Sequence, residues 1–449
     1  MKQAKHDKPA MAHPRTRWLQ LLLGILCMGL VANLQYSWTL FVRPMHETMG
    51  WPESSIQLAF SIFIIVETWL VPVEGMLVDR FGPRPVVAGG AVLIFIAWTM
   101  NAWAHSLPML YAAAVVSGLG AGCVYGTCVG NALKWFPEKR GFASGLTAAG
   151  FGVGAALTVI PIANAIKANG YHNAFSTFAI VLGGSILFLS LFMVRPAPGA
   201  RPTTTPRKLI ETRHNFTTAQ MLRTPVFWVM YLIFTAICAG GLIATAQVGP
   251  IARDFGIAKA PIALLGTVIP LLTLTLSIDN LVNGLTRPLC GFISDRFGRE
   301  NTMFIVFLGE GAALIGLIQF GQTPLGFLIF APLIFLFWGE IYAISSALVG
   351  DTFGSKHVTA NAGALYTTKG VAALLVPLGS LIKESTGSWS TVFIVCAAVS
   401  VITALASKMV LSPMRRSFIE TSNREAIAEA VLVSAKSDVS DARTHKPAA

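Results

Sequence analysis

Two stretches, "GMLVDRFGPRP" at residues 75–85 and "GFISDRFGREN" at residues 291–301, repeat one pattern 216 positions apart. Gly75, Asp79, Arg80, Phe81 and Gly82 pair with Gly291, Asp295, Arg296, Phe297 and Gly298. Each copy is a short charged turn lying between two long apolar runs. A weaker echo links "KRGFASGLTAAGFGVGAAL" at 139–157 with "KHVTANAGALYTTKGVAALL" at 356–375. A repeat on this scale divides the chain into two halves built alike.

The apolar runs themselves name the solvent. Hydrophobic residues make up 54% of the chain, charged residues 12%, and the mean hydropathy is +0.64, whereas soluble domains carry about a quarter charged residues. Runs near the ~20 residues that cross a bilayer recur, at 18–42, 56–78, 86–104, 107–132, 142–166, 174–194, 226–250, 264–293, 303–321, 324–349, 360–382 and 391–411. The expected fold is therefore an all-α membrane protein of twelve transmembrane helices in two pseudo-symmetric six-helix bundles, residues 18–194 and 226–411. A tail at 1–17, a Pro-, Thr- and Arg-rich linker at 195–225 and a tail at 412–449 complete the expected organisation, with the segment from about Ser417 read as mobile because it has no apolar run. The first run is too long for a cleaved signal. The eighth is over-long and holds Pro270, so it starts outside the bilayer or is kinked.

The net charge of +12 follows from topology rather than from a nucleic-acid partner. With both termini placed in the cytoplasm, five of the 33 Lys and Arg fall outside (Arg43, Lys167, Arg253, Lys259, Lys383) and two inside spans, leaving 26 on the cytoplasmic side. That asymmetry is the positive-inside pattern of a cell (inner) membrane protein. All six cysteines lie within predicted spans, so no structural disulfide is expected. The histidines show no metal-ligand spacing, and neither metal nor cofactor is expected.

The two cations within spans are Arg287, in "NGLTRPLCGF", and Lys369. Arg287 lies eight residues from Asp295, ~12 Å along a helix, and Lys369 thirteen from Lys356, ~20 Å. Both depths fall near the middle of a core ~30 Å thick, where a charge costs ~2.5 kcal/mol or more unless it meets water or a partner. The repeat pairs Arg287 with Val71, so the scaffold does not need this charge. Asn280, Asn283 and Arg287 form one polar stripe, and Tyr36, Tyr125, Trp338, Tyr342 and Tyr366 are further candidates for a wet central cavity. A guanidinium fork and an ammonium on different helices suit a small carboxylate anion. Acids inside spans, Glu67, Asp279 and Glu340 among them, leave open an ion pair with either cation, and with it a choice between obligatory exchange and proton-coupled transport.

The paired "D-R-F-G" turns, Gly75 to Arg84 and Gly291 to Arg299, follow roughly the pattern G-x-x-x-D-R-x-G-R and resemble those of the major facilitator superfamily. That resemblance assigns Gly75, Asp79, Arg80, Gly82, Gly291, Asp295, Arg296 and Gly298 to gating and structure. Within the superfamily, "QYSWTLF", "KWFPEKRGFASGLTAAGFG", "MLRTPVFWV", "NGLTRP" and the lysine of "YTTKG" are similar to the oxalate:formate antiporter family over about residues 18 to 411. The likeness implies a secondary transporter working as a monomer in a lipid bilayer, with Arg287 and Lys369 holding the substrate carboxylates. It carries the aromatic cavity positions over to Tyr36, Tyr125, Trp338, Tyr342 and Tyr366. The chain departs from the family pattern at Phe151, where a tyrosine is expected, at Glu67 and Asp279, which replace glutamines, and at Glu340, which replaces a glycine. A proton-coupled monocarboxylate symporter is the alternative. A non-transporting sensor of the same fold is a third reading, and the tail after Ser417 shows no signalling module. No nucleophile with its base and no nucleotide loop is visible, so the chain is not read as an enzyme.

Overall fold

The computed structural model describes residues 14–196, 210–264, 267–426 and 428. Nearly all of them are helical. Among the described residues eight helices are long and apolar enough to cross a bilayer, and a pair bent by 44°, Leu58–Trp69 with Val71–Phe81, makes a ninth. Three further long helices complete the twelve: the first part of Arg140–Phe178, Leu271–Phe297 and Val358–Thr386. These are the fifth, eighth and eleventh spans. Two of them carry Arg287 and Lys369, both buried.

Local chemistry explains where the helices break. The first span runs Pro14–Val31, Asn33–Tyr36, Trp38–Met49, and at its breaks the Asn33 amide and Ser37 hydroxyl bond back to backbone carbonyls of the preceding turn. The second bends at Leu70, just before Pro72, whose ring nitrogen cannot donate to the ladder. The fifth and sixth spans meet at Gly170, whose φ of 77° turns the chain. The tenth divides at Gly339 and Glu340, between Pro324–Trp338 and Ile341–Phe353. Gly82 and Gly298, equivalent in the repeat, adopt φ of 89° and 96°, a region that side chains with a Cβ rarely enter. The repeat therefore preserves backbone geometry as well as letters.

The structure differs from the sequence reading in two places. The eighth helix starts at Leu271, because the strand Thr267–Pro270 before it pairs antiparallel with Pro261–Leu264, the two prolines opposite each other at the open end of the ladder. The twelfth span, Trp389–Ala406, continues as helix through Ala426, so the segment from Ser417 is not structureless. Arg415 donates to Thr352 and Glu300, and Phe418 packs on Phe216 and Phe353, which docks this extension against the tenth span and the linker. The remainder of the expected C-terminal tail, linker residues 197–209 and residues 1–13 lie outside the described residues.

Packing along the repeat is pairwise. The eighth span lies along the fifth and the eleventh along the second, and the tenth also packs on the fifth and the eleventh on the fourth, so the two halves meet chiefly through these helices. The fourth span, Leu107–Trp135, turns Gly118, Gly122 and Gly126 to the second span of its own half and Gly130 to the eleventh. A Cβ on Gly118 would stand 2.7 Å from Val66, and one on Gly130 would overlap Thr359. The stripe is filled by close helix approach. Outward, large apolar side chains such as Leu157, Leu232, Leu325 and Ile402 are more than 60% exposed, the surface a multi-pass protein offers to lipid.

Candidate functional site: a cationic aromatic cavity

Arg287 is 5% and Lys369 8% exposed, and both line one cavity of about 110 Å³. Tyr36, Tyr125, Trp338, Tyr342 and Tyr366 line it too, as do Phe151, Asn280 and Asn283. Seven candidates scattered over more than 330 positions of sequence thus share one space. Gln35, Leu242 and Phe335 also line it and were missed by sequence reasoning. Gln35 had a signal, its place beside Tyr36 on a polar break, whereas Leu242 and Phe335 look like any lipid-span residue.

The aromatic rings form a connected wall. Tyr125 stacks on Tyr366 at 4.5 Å between centroids, Tyr342 meets Tyr366 edge-on at 6.0 Å, and Trp338 meets Tyr342 at 5.7 Å. Phe151 joins Tyr36 and Tyr125 at 5.6 and 5.9 Å. The guanidinium of Arg287 lies 5.4 Å over the Tyr342 ring, and the Lys369 ammonium 5.3 Å over Tyr366. Both cations are held by ring faces.

Their remaining partners differ. Arg287 donates to the Ala148 carbonyl at 2.9 Å and to Asn283 Oδ1 at 2.8 Å, while its Nε has no acceptor among the described residues. Both acceptors are neutral, and among the described residues Arg287 makes no ion pair. Lys369 donates to the Tyr366 hydroxyl at 3.0 Å and pairs with Glu67 Oε2 at 3.4 Å. Glu67 is fully buried on the second span, outside the cavity lining. Asp279 and Glu340 make no hydrogen bond or ion pair with either cation among the described residues, and both carboxyls are buried, Glu340 near enough to Arg287 to interact with it through space.

The paired turns form a second feature at one end of the molecule. Asp79 accepts from the Ala360 amide and the Lys134 ammonium, and Asp295 from the amides of Gly141 and Phe142 while pairing with Arg299 at 2.6 Å. Gly75 and Gly291 let the helices touch: a Cβ on Gly75 would lie 2.6 Å from Ala360 Cα, and one on Gly291 would overlap the Gly141 carbonyl. Arg80 and Arg296 do not join these contacts; both are exposed and lie over Phe81 and Phe292. Asp79 and Asp295 were singled out from sequence, whereas the other charges that join, Lys134, Arg140, Arg299 and Asp351, were not. Asp351 receives Arg140 at 2.6 Å and Arg299 at 2.9 Å, across separations of 211 and 52 residues that no local pattern announces.

Known proteins with this plan are transporters. The model of the Major Facilitator Superfamily matches residues 21–279 and 241–443. The oxalate:formate antiporter of Oxalobacter formigenes is 34% identical over 404 residues, covering 89% of this chain and 93% of that protein. Among solved structures, the human organic anion transporter MFSD10 superimposes with a TM-score of 0.64 at 14% identity, over 88% of this chain and 98% of that one. The fucose:proton symporter of E. coli gives 0.63 at 14% identity, over 87% and 98%. Repeat, helix plan and sequence agree: the chain belongs to the oxalate:formate antiporter family of the Major Facilitator Superfamily, and it is a multi-pass secondary transporter rather than an enzyme.

Proposed function

We propose that the protein carries small carboxylate anions by alternating access, in exchange of the oxalate:formate type, with Arg287 and Lys369 as the substrate-binding cations. The observation that carries the reading is Arg287: a buried guanidinium in an aromatic cavity, bonded among the described residues only to neutral oxygens and with no acceptor there for Nε. A charge so placed is stabilised when an anion enters. The volume supports a small cargo, since about 110 Å³ is well under the ~300 Å³ where ordinary ligand pockets begin. The 34% identical relative is named for oxalate and formate. The Asp79 and Asp295 contacts act as the gate that closes one end while cargo enters at the other. The carrier works as a monomer in the inner membrane, and the distribution of Lys and Arg supports a topology with both termini and the linker on the cytoplasmic side.

The test is uptake of labelled oxalate and formate into proteoliposomes loaded with either anion or left empty. Uptake confined to loaded vesicles and lost in Arg287→Gln is the expected result. Wild-type uptake that survives Arg287→Gln unchanged overturns the assignment. Proton-coupled symport is the second reading, favoured by the Glu67–Lys369 pair, and uptake into empty vesicles driven by an acidic exterior would establish it.

A further inference from the structure

We infer that Glu67 sets the charge of the cargo: it holds Lys369, leaves Arg287 to take one carboxylate, and so builds a site for monoanions that accepts a dianion only together with a proton. The inference rests on the carboxylate reading above. It starts from an inequality between the two cations. Among the described residues Arg287 has neutral partners only, whereas Lys369 already has a buried carboxylate at 3.4 Å. The charged groups in direct contact, Arg287 and the Lys369–Glu67 pair, therefore sum to one net positive charge, with Glu340 buried nearby and bonded to neither cation among the described residues. Coulomb attraction in a low-dielectric cavity favours a cargo that cancels that charge. A dianion would bring a second carboxylate against Glu67, and like charges so placed repel strongly.

The geometry shows how the restriction is relieved. Glu67 Oε2 binds Lys369 while Oε1 is buried with no partner among the described residues. A proton on that carboxyl removes the competing charge and leaves the ammonium free to turn to a second substrate carboxylate. The titratable groups facing Glu67 are Lys369 and Tyr366 from the eleventh span, Tyr125 from the fourth and Glu74 from its own span. None of the other three is a cation that could replace Lys369 as its partner. The pair also crosses between halves, joining the second span to the eleventh, so cargo that releases it loosens a tie between the parts that must move.

The experiment measures exchange of labelled formate and labelled oxalate by purified protein in formate-loaded proteoliposomes, at neutral and mildly acidic pH, with a lumenal pH dye. In wild type the oxalate-to-formate rate ratio is low at neutral pH, rises in acid, and oxalate entry acidifies the lumen. In Glu67→Gln the ratio at neutral pH rises roughly tenfold or more and loses its pH dependence, and Glu67→Asp keeps the wild-type behaviour. Using a ratio cancels differences in the amount of folded carrier, and the wild-type pH arm decides the matter if Glu67→Gln fails to fold. A ratio unmoved by pH and by Glu67→Gln overturns the inference while leaving carboxylate exchange in place. Absence of any carboxylate exchange in wild type overturns both.

Discussion

Asp79 and Asp295, equivalent in the internal repeat, each cap the first turn of a helix in the opposite half. Asp79 accepts from Ala360 at 3.2 Å, at the start of the eleventh span; Asp295 accepts from Gly141 and Phe142 at 3.1 and 3.0 Å, at the start of the fifth. A carboxylate at a helix N-terminus satisfies amides that the helix leaves unbonded and meets the positive end of its dipole. The two caps are nonetheless unequal. Asp295 also pairs with Arg299, 1% exposed, whereas Asp79 pairs with Lys134, 17% exposed.

That inequality predicts different costs. Asp295→Asn leaves a buried arginine without one of its two acids, and loss of one partner of a buried pair costs about 3 kcal/mol or more. Asp79→Asn leaves a lysine that reaches water, and the expected loss is about 1 kcal/mol. Thermal unfolding of the two variants in one detergent should rank them in that order. Equal losses would mean that the caps, which both share, outweigh the ion pairs.

Close approach predicts a second contrast. A Cβ on Gly291 overlaps the Gly141 carbonyl, whereas one on Gly89 meets nothing within 4 Å. Gly291→Ala forces the fifth and eighth spans apart at the face where the halves are latched, and transport should fall by about tenfold or more if closing that face is part of the cycle. Gly89→Ala should leave transport intact and change stability by at most about 1 kcal/mol, in the direction of helix propensity. Rates measured on equal amounts of reconstituted protein separate the two.

Much of this was readable in the sequence, and the unread part has a common cause. Twelve spans follow from apolar runs against bilayer thickness, and the motif glycines Gly82 and Gly298 follow from the repeat. Arg287, Lys369 and the aromatic wall were visible because a charge in an apolar helix stands out locally. Partners did not stand out. Lys369 and Glu67 are 302 residues apart, and Arg140 and Asp351 211, so which acid meets which cation depends on helix packing that periodicity does not encode. Arg80 and Arg296 show the converse. They sit in the most recognisable motif and lie on the surface, while the less conspicuous Lys134 and Arg299 make the contacts.

At the cavity, shape is separable from charge. Arg287 uses a planar fork to reach Ala148 on the fifth span and Asn283 on its own helix while facing Tyr342. Lysine keeps the charge and loses both the fork and the stacking plane. Arg287→Lys should therefore bind the same anions with affinity reduced roughly ten- to a hundredfold, about 1.4 to 2.8 kcal/mol, with selectivity between carboxylates relaxed. Substrate-dependent thermal stabilisation across a concentration series reads this directly. Affinity equal to wild type would show that charge alone suffices.

The Asp79 latch should respond to mild acid through His357. This residue precedes the eleventh span, and burial holds its imidazole below the usual histidine range, with Lys356 and Lys134 adding to that shift and Asp79 opposing it. A histidine depressed in this way takes up a proton on unfolding or on opening. Its contribution to the closed arrangement is complete above the ordinary imidazole pKa, and it is lost as pH falls through that value toward the lowered one. Protonation places a third positive charge beside Lys134 and Lys356 at the helix N-terminus, where the dipole is unfavourable to cations. Cysteine labelling at a position on this face, followed across mildly acidic pH, should therefore show increasing access as pH drops. His357→Asn should flatten that dependence while leaving access at neutral pH near wild type. An unchanged profile in the variant would assign the response to another group, and the nearest acid to examine is Asp79 itself.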